Sequence, residues 1–148
     1  MVRNDPVTVI KNLLDNNWDS DNTDSITPTI LYSQDAKRLS FNPESATSII
    51  VVNHISSGQE YNASGSSSKR VTEFLSVDIR SMVSKSHTRK VLDEVTRIFE
   101  ANILLPDSDY DELFADGDVQ VISRGLKGVW RFVKDVELRD SNTARGGL

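Results

Sequence analysis

The sequence predicts a single α+β domain, in which a mainly antiparallel sheet of four to five strands carries two amphipathic helices on one face. Three observations support this prediction. Two segments repeat apolar residues at helical spacing, several β-branched runs lie between and after them, and strands that are adjacent in sequence with short links favour antiparallel pairing. A length of 148 residues is typical of one domain. We expect residues 1–140 to form this domain and residues 141–148 to form a flexible tail.

The first helix is predicted to begin at Asp5, a capping residue, with Pro6 in the first helical position, where a missing N–H costs nothing. Its apolar face is formed by Val7, Ile10, Leu13, Leu14 and Trp18. Residues 19–25 favour a turn, so the helix should end near Trp18. Residues 26–32 predict a short strand. Because Pro28 cannot donate to a strand ladder, this strand should be an edge or begin after the proline.

The middle of the chain predicts a hairpin with a long connection. Residues 48–55 form a β-branched run that is typical of a buried strand, and residues 71–80 alternate with a period of two. Residues 56–68 between them are rich in Ser and Gly, so we expect a long hairpin loop that is mobile in the free protein. A long loop of this kind is usually functional or simply disordered, and the sequence leaves both possibilities open.

The second helix has the strongest pattern. Its apolar stripe consists of Val91, Leu92, Val95, Ile98, Phe99 and Ile103, and its polar face of Arg89, Asp93, Glu94, Arg97 and Glu100. Ser84 or Ser86 can cap it, and Pro106 prevents its continuation. An acidic loop is predicted over residues 107–118. Two last strands, 119–124 and 129–138, should be joined around Gly125 and Gly128, which leaves open sheet edges near Pro28 and at the C-terminal strand.

Composition excludes several classes of function. The net charge of −5 and the pI of about 5.0 disfavour binding to duplex nucleic acid, which needs clustered cations. The longest apolar run, residues 49–52, is far too short for a membrane helix, and no signal peptide is expected at the N-terminus. With no cysteine, disulfides and thiolate metal sites are excluded. We expect synthesis in the cytoplasm and no membrane partner.

Candidate catalytic and metal-binding motifs fail on spacing. Asp107, Asp109 and Asp111 begin like a calcium loop, but Glu112 and Asp118 occupy the positions that need Gly and a bidentate Glu. Neither His54 nor His87 has the companions of a nucleophilic or metal site. We therefore expect no catalytic residue, no metal and no cofactor. The protein is expected to act by binding and not as an enzyme.

The predicted loop and its borders supply the candidate binding residues. An aromatic residue, two cations and polar neighbours lie together there, and they can order against a partner or another subunit. The predicted oligomer or partner contacts are Gln59, Glu60, Tyr61, Asn62, Lys69 and Arg70.

The order of elements resembles one family, the tail terminator (tail completion, or neck) proteins of tailed viruses. The resemblance rests on the helix that begins Asp5-Pro6-Val7-Thr8-Val9-Ile10, the strand at 49–52, the hairpin at 56–70, the helix at 91–103 and two closing strands. It covers residues 5–139 and concerns size and element order. It implies a ring, usually hexameric, that caps the tail tube and joins it to the head connector. It implies no catalytic residues.

The resemblance also implies partners and a location. They are other copies of the chain, the tail tube protein and the head–tail connector protein, with DNA only as passing cargo through an acidic lumen. The location would be the tail or neck of a virion assembled in the host cytoplasm. Two alternatives stay open, a head–tail adaptor of the same virions and a small cellular protein-binding adaptor.

Overall fold

The computed structural model describes residues 3–23, 25, 28–32, 48–61, 69–81, 84–115, 120–121 and 130–140. Its elements are α1 (Pro6–Asn17), a 3-10 helix (Ser20–Thr23), β1 (Thr29–Tyr32), β2 (Ser48–Tyr61), β3 (Lys69–Ser81), α2 (Lys85–Ala101), β4 (Leu104–Asp107), β5 (Tyr110–Ala115), β6 (Gln120–Val121) and β7 (Trp130–Asp140). The predicted α+β class is confirmed. The predicted turn at 125–128 and the tail at 141–148 lie outside the described residues.

The described strands form one sheet in the order β1-β2-β3-β7-β5-β4, and β6 also pairs with β7. From β2 to β4 all neighbours are antiparallel, whereas β1 runs parallel to β2. As predicted, β1 begins after Pro28 and lies at an edge. The prediction of an open edge at the C-terminal strand is wrong. β7 lies inside the sheet, because the hairpin of β4 and β5 adds two further strands beside it.

Helix α1 begins at Pro6 with Asp5 in the N-cap position, as predicted. The Asp5 carboxylate accepts a hydrogen bond from the hydroxyl of Thr8 (3.1 Å) instead of a backbone N–H. The helix buries Val7, Val9, Ile10, Leu13 and Leu14. Four of the five residues of the predicted stripe are thus buried, with Val9 added. Trp18, the fifth, lies just beyond the helix at its C-cap and packs half-buried against the core.

Helix α2 begins after Ser84, whose side-chain oxygen accepts from the backbone N–H of His87 (3.0 Å). This satisfies one of the free amides that every helix start presents. The helix ends at Ala101, so Ile103 lies beyond it and is exposed. The prediction that Ile103 belongs to the buried stripe is therefore wrong, because the chain has already turned into β4.

The core lies between the two helices and one face of the sheet. Across β2, β3 and β7 the strand register brings Ile50, Ile79 and Phe132 side by side, and all three are buried. Both helices contribute their apolar stripes to this same cluster. We call the opposite side of the sheet the outer face. In the described ranges, neither helix is long and apolar enough to cross a membrane.

The polar face predicted for α2 contains one error, Glu94, which is buried. Its carboxylate accepts hydrogen bonds from the backbone N–H of Asp19 (2.7 Å), the amide of Asn22 (2.9 Å), and Nε (2.6 Å) and Nη2 (2.8 Å) of Arg97. Arg97 also donates to the carbonyl of Asn17 at the end of α1 (2.8 Å). The spacing of residues along α2 cannot reveal that Glu94 is buried, because the residues that cover it belong to the polar segment after α1.

Candidate functional site

The predicted contact residues lie at the end of the β2–β3 hairpin. Glu60 is paired with Arg70 and Tyr61 with Lys69, and Gln59 is exposed beside them. The structure therefore brings five of the six predicted residues together on two adjacent strands. Asn62, the sixth, lies outside the described residues.

The prediction of a loop from residue 56 onwards is wrong for residues 56–61. They belong to β2 and pair with β3 from Ser56 opposite Phe74 to Tyr61 opposite Lys69. The physical reason is that these residues are held by backbone hydrogen bonds to β3, and such bonds need no apolar side chains in β2. β3 is itself held in place, because it is paired with β7 from Ser81 to Val71. The rest of the predicted mobile loop, residues 62–68, lies outside the described residues.

A β-bulge at Ile55 separates the two halves of β2. The register shifts between His54, opposite Leu75, and Ser56, opposite Phe74, so that Ile55 is the extra residue. A bulge re-aims side chains and bends its strand. Here it leaves Ile55 61% exposed at the border of the outer face.

An apolar groove crosses the outer face at this level of the sheet. It has a volume of about 520 Å³, and its lining includes Ile55, Phe74, Phe114, Asp135, Glu137 and Arg139. The register explains the alignment, since Phe74, Glu137 and Phe114 are direct neighbours across β3, β7 and β5. These six residues are called the groove.

One wall of the groove is held by an arginine. The guanidinium of Arg139 lies 4.1 Å from the centre of the Phe114 ring, in a cation–π arrangement, and donates to the carboxylate of Glu137 (2.8 Å). These contacts fix the orientation of Phe114, although its ring is 40% exposed. The groove is therefore a shaped apolar surface bordered by the Glu137–Arg139 ion pair and by the exposed Asp135.

The β4 edge carries a second apolar cluster. The predicted acidic loop is wrong at its beginning, because residues 104–107 and 110–115 form the strands of a tight hairpin. Ile103, Leu104 and Leu105 are exposed on it, Leu104 by 75% and Leu105 by 69%. The register shifts between Leu104 and Asp107, and Leu105 has a left-handed backbone (φ 51°).

One polar cluster was missed by the sequence analysis. Nε2 of His54 lies 2.7 Å from Oε2 of Glu73 and 3.3 Å from the hydroxyl of Ser57, which also donates to that carboxylate. A Ser-His-acid relay needs the hydroxyl and the carboxylate on different imidazole nitrogens. Here both face the same nitrogen, so the cluster cross-links β2 and β3 without forming a relay. The pairing of β2 with β3 was the signal that could have found it.

A second missed cluster lies on the outer face. The buried carboxylate of Asp78 accepts from Nε (3.0 Å) and Nη2 (2.6 Å) of Arg131 and from Nη2 of Arg80 (2.9 Å). The hydrogen bonds that Arg131 donates to the Asp78 carboxylate raise the pKa of Arg131 above its ordinary value. The cluster leaves one net positive charge on the middle of the sheet. It fixes β3 against β7 and presents two half-exposed guanidinium groups to solvent.

Among the residues that the structure describes, no group of three His, Asp or Glu side chains is arranged to hold a metal ion. In the row that resembles a calcium loop, Asp107 already accepts hydrogen bonds from the backbone N–H of Asp109 (3.1 Å) and the amide of Asn4 (2.9 Å). Asp109 accepts from the backbone N–H of Asn4 (2.7 Å). These carboxylates thus join the turn to the N-terminal segment.

We expect the thermal unfolding midpoint Tm to be the same in a chelator and in excess calcium, because the Asp107 and Asp109 carboxylates are used within the fold. Calorimetry in both buffers measures this. A calcium concentration of 100 times Kd would stabilise the fold by about 2.7 kcal/mol, which raises Tm by several degrees. A rise of that size would contradict the prediction.

No protein-family model matches this chain in the comparison with known proteins, and no curated protein sequence matches it. The geometry of the β2–β3 hairpin is therefore the basis of the functional proposal.

Proposed function

We propose that this chain is a tail terminator of a tailed virus, a structural protein that assembles into a ring, caps the tail tube and joins it to the head connector. The observation that carries the proposal is the reach of the β2–β3 hairpin. β1 pairs with residues 49–52 of β2 only, whereas β2 continues to Tyr61. Among the described strands, the outer edge of β2 beyond residue 52 faces no neighbour.

An unpaired strand edge of this length needs a partner or protection, because its N–H and C=O groups offer a template for another chain. The hairpin carries Tyr61, Lys69 and Arg70 at its end, next to that edge. If each subunit packs its hairpin against one neighbour and contacts the hairpin of the other neighbour, the contacts are head to tail. Such contacts form a closed ring when the rotations between successive copies add up to a full turn. This arrangement favours a repeated assembly over a solitary domain.

The charge of the chain fits the channel of such a ring. Each subunit has a net charge of −5, so that a ring of six would hold about −30, and duplex DNA inside it would be repelled and not retained. The Arg80–Asp78–Arg131 cluster adds only one net positive charge to the outer face. DNA is thus proposed as passing cargo, with no sequence-specific contact.

The decisive measurement is native mass spectrometry of the purified chain, alone and with a tail tube protein. We expect one closed oligomer, with six copies as the expected number, and its binding to the end of the tube. Electron microscopy of the same samples would show rings on tube ends. A chain that stays monomeric at all concentrations and ignores the tube would contradict the proposal and favour the protein-binding adaptor.

A variant of the hairpin end tests its role in this assembly. We expect Gln59→Ser, Tyr61→Ser and Lys69→Ser together to weaken ring formation or tube docking at least tenfold, because they remove an amide, an aromatic ring and a cation from the hairpin end. The far-ultraviolet circular dichroism should be unchanged. The matched control is a triple exchange to serine at three exposed positions of α2, Arg89, Asp93 and Glu100, which should leave assembly unaffected.

A further inference from the structure

We propose that the groove on the outer face binds an amphipathic helix of another protein, whose apolar residues fill the groove and whose Lys or Arg side chains meet Asp135. The occupant is a cationic helix and not a second copy of this chain. The proposed ring contact uses the end of the β2–β3 hairpin, whereas this site lies on the face of the sheet, so either proposal can fail without the other.

The exposed apolar side chains of the outer face form one continuous row. Phe74 on β3 and Phe114 on β5 lie at the same level on either side of β7, and Ile55 lines the groove with them from the bulge of β2. Leu104 extends the row onto β4, because its partner Glu112 lies two positions from Phe114 and therefore on the same face. All four apolar side chains are exposed. An exposed apolar surface of this kind is typical of a binding site.

The direction of this row favours a helix as the occupant. The row crosses the strands from β2 to β4, and with neighbouring strands about 4.8 Å apart it is about 19 Å long. A bound strand adds to a sheet at its edge, whereas a helix is the element that covers a sheet face. A helix of about 13 residues spans this length and directs every third or fourth side chain towards the sheet.

The charge of the groove requires the helix to be cationic. The carboxylate of Glu137 is paired with Arg139 (2.8 Å), whereas Asp135 is exposed and has no ion pair among the described residues. Two carboxylates and one guanidinium give the groove a net charge of −1, and the unpaired carboxylate lies on β7, in the middle of the sheet. A Lys or Arg of the bound helix would pair with it. A second copy of this chain, with a net charge of −5, would on average be repelled.

Both aromatic rings of the groove are held in place by neighbours. The ring of Phe74 lies over Gly58 of β2, where a Cβ atom would be only 3.6 Å from Cε2 of the ring. The ring of Phe114 lies against the guanidinium of Arg139, 4.1 Å from its centre. Side chains that are already ordered lose little conformational entropy on binding. The groove is therefore formed before the helix arrives.

A synthetic helix tests the proposal on the intact chain. The probe is a fluorescent peptide of about 14 residues, made of Leu, Lys and Ala, with a leucine at every third or fourth position. One control peptide has the same composition with the leucines scattered around the helix, and the other has Glu in place of every Lys. Fluorescence anisotropy at about 0.15 M salt measures Kd. We expect the probe to bind at least about fivefold more tightly than either control.

Variants of the chain locate the bound peptide. Ile55→Ser and Leu104→Ser remove the two most exposed apolar side chains of the row, and Asp135→Lys reverses the unpaired charge. We expect each to weaken probe binding at least about fivefold. Glu100→Lys, on the exposed side of α2, makes the same change of charge away from the groove and should alter Kd less than about twofold. Urea unfolding of every variant shows whether the fold is intact.

Four results would overturn the proposal. If the probe binds no more tightly than the scattered peptide, the groove does not recognise an apolar helix face. Tighter binding of the Glu peptide would show a preference for an acidic partner. An equal loss in Glu100→Lys and Asp135→Lys would show that only the overall charge of the chain attracts the probe. If sedimentation equilibrium shows that Leu104→Ser abolishes a self-association of the wild type, the occupant of the groove is a second copy.

Discussion

Phe132→Ala is expected to lower the free energy of unfolding by about 4 kcal/mol, a large part of the 5–15 kcal/mol that is typical of a domain. Phe132 lies on β7 inside the sheet, next to Ile79, and is 1% exposed beneath the helices. Truncation of the Phe132 ring leaves a cavity that the sheet and the helices packed on it cannot close by moving. Urea unfolding followed by circular dichroism measures the loss as a lower midpoint at the same slope.

The matched control is Phe114→Ala, on β5. Its ring is 40% exposed and contacts Arg139 through one face, so we expect a loss of less than about 1.5 kcal/mol in the monomer. Equal losses for the two variants would contradict the described position of the core.

Local sequence signals predict the helices and the inner strands well. Asp5 followed by Pro6 fixes the start of α1, and Ser84 is one of the two caps predicted for α2. These signals work because helix ends depend on side chains a few residues apart. The alternation over 71–80 likewise predicts β3, since its core-facing residues must follow the pleat.

The strand over residues 56–61 could not be predicted from its own composition. Ser56, Ser57 and Gly58 have low strand propensity, and they are held by hydrogen bonds to β3 and not by burial. The strands of the hairpin at 104–115 were not predicted for the opposite reason. Its acidic residues are typical of a loop, but Leu113 and Tyr110 within it are buried in the core.

The candidate site is even less accessible to sequence analysis. The groove combines side chains from β2, β3, β5 and β7, and the alignment of Phe74 with Phe114 depends on the register of β7 between them. Nothing local marks Ile55 as a bulge. The hairpin residues were found because an unusual composition marks them, whereas the groove and the apolar cluster at the β4 edge follow only from the topology of the sheet.

Glu94→Ala is expected to destabilise the fold by about 3 kcal/mol. The variant removes four hydrogen bonds to a buried carboxylate and leaves the backbone N–H of Asp19 without that acceptor. Hydrogen bonds to charged groups contribute about 1.5–3 kcal/mol each, and breaking a buried pair costs about 3–5 kcal/mol. Arg97 is half exposed and regains water, so the lower end of that range applies. Exposed neighbours on the same helix, Asp93→Ala and Glu100→Ala, should cost less than about 0.5 kcal/mol.

The same carboxylate makes the effect of Glu94→Ala depend on pH. Burial alone would raise the pKa of Glu94, but the hydrogen bonds from Arg97, the Asp19 N–H and Asn22, with the charge of Arg97, bring it below the ordinary 4.5. A carboxyl whose pKa is lower in the folded state stabilises the fold fully above its unfolded pKa and loses this contribution as pH falls through the folded value. The difference in unfolding free energy between wild type and Glu94→Ala should therefore be largest near pH 7 and shrink at about pH 3. Urea titrations of both proteins at the two pH values measure this difference in unfolding free energy. A difference that stays constant or grows on acidification would show that the charge of Glu94 does not stabilise the contact between α2 and the segment after α1.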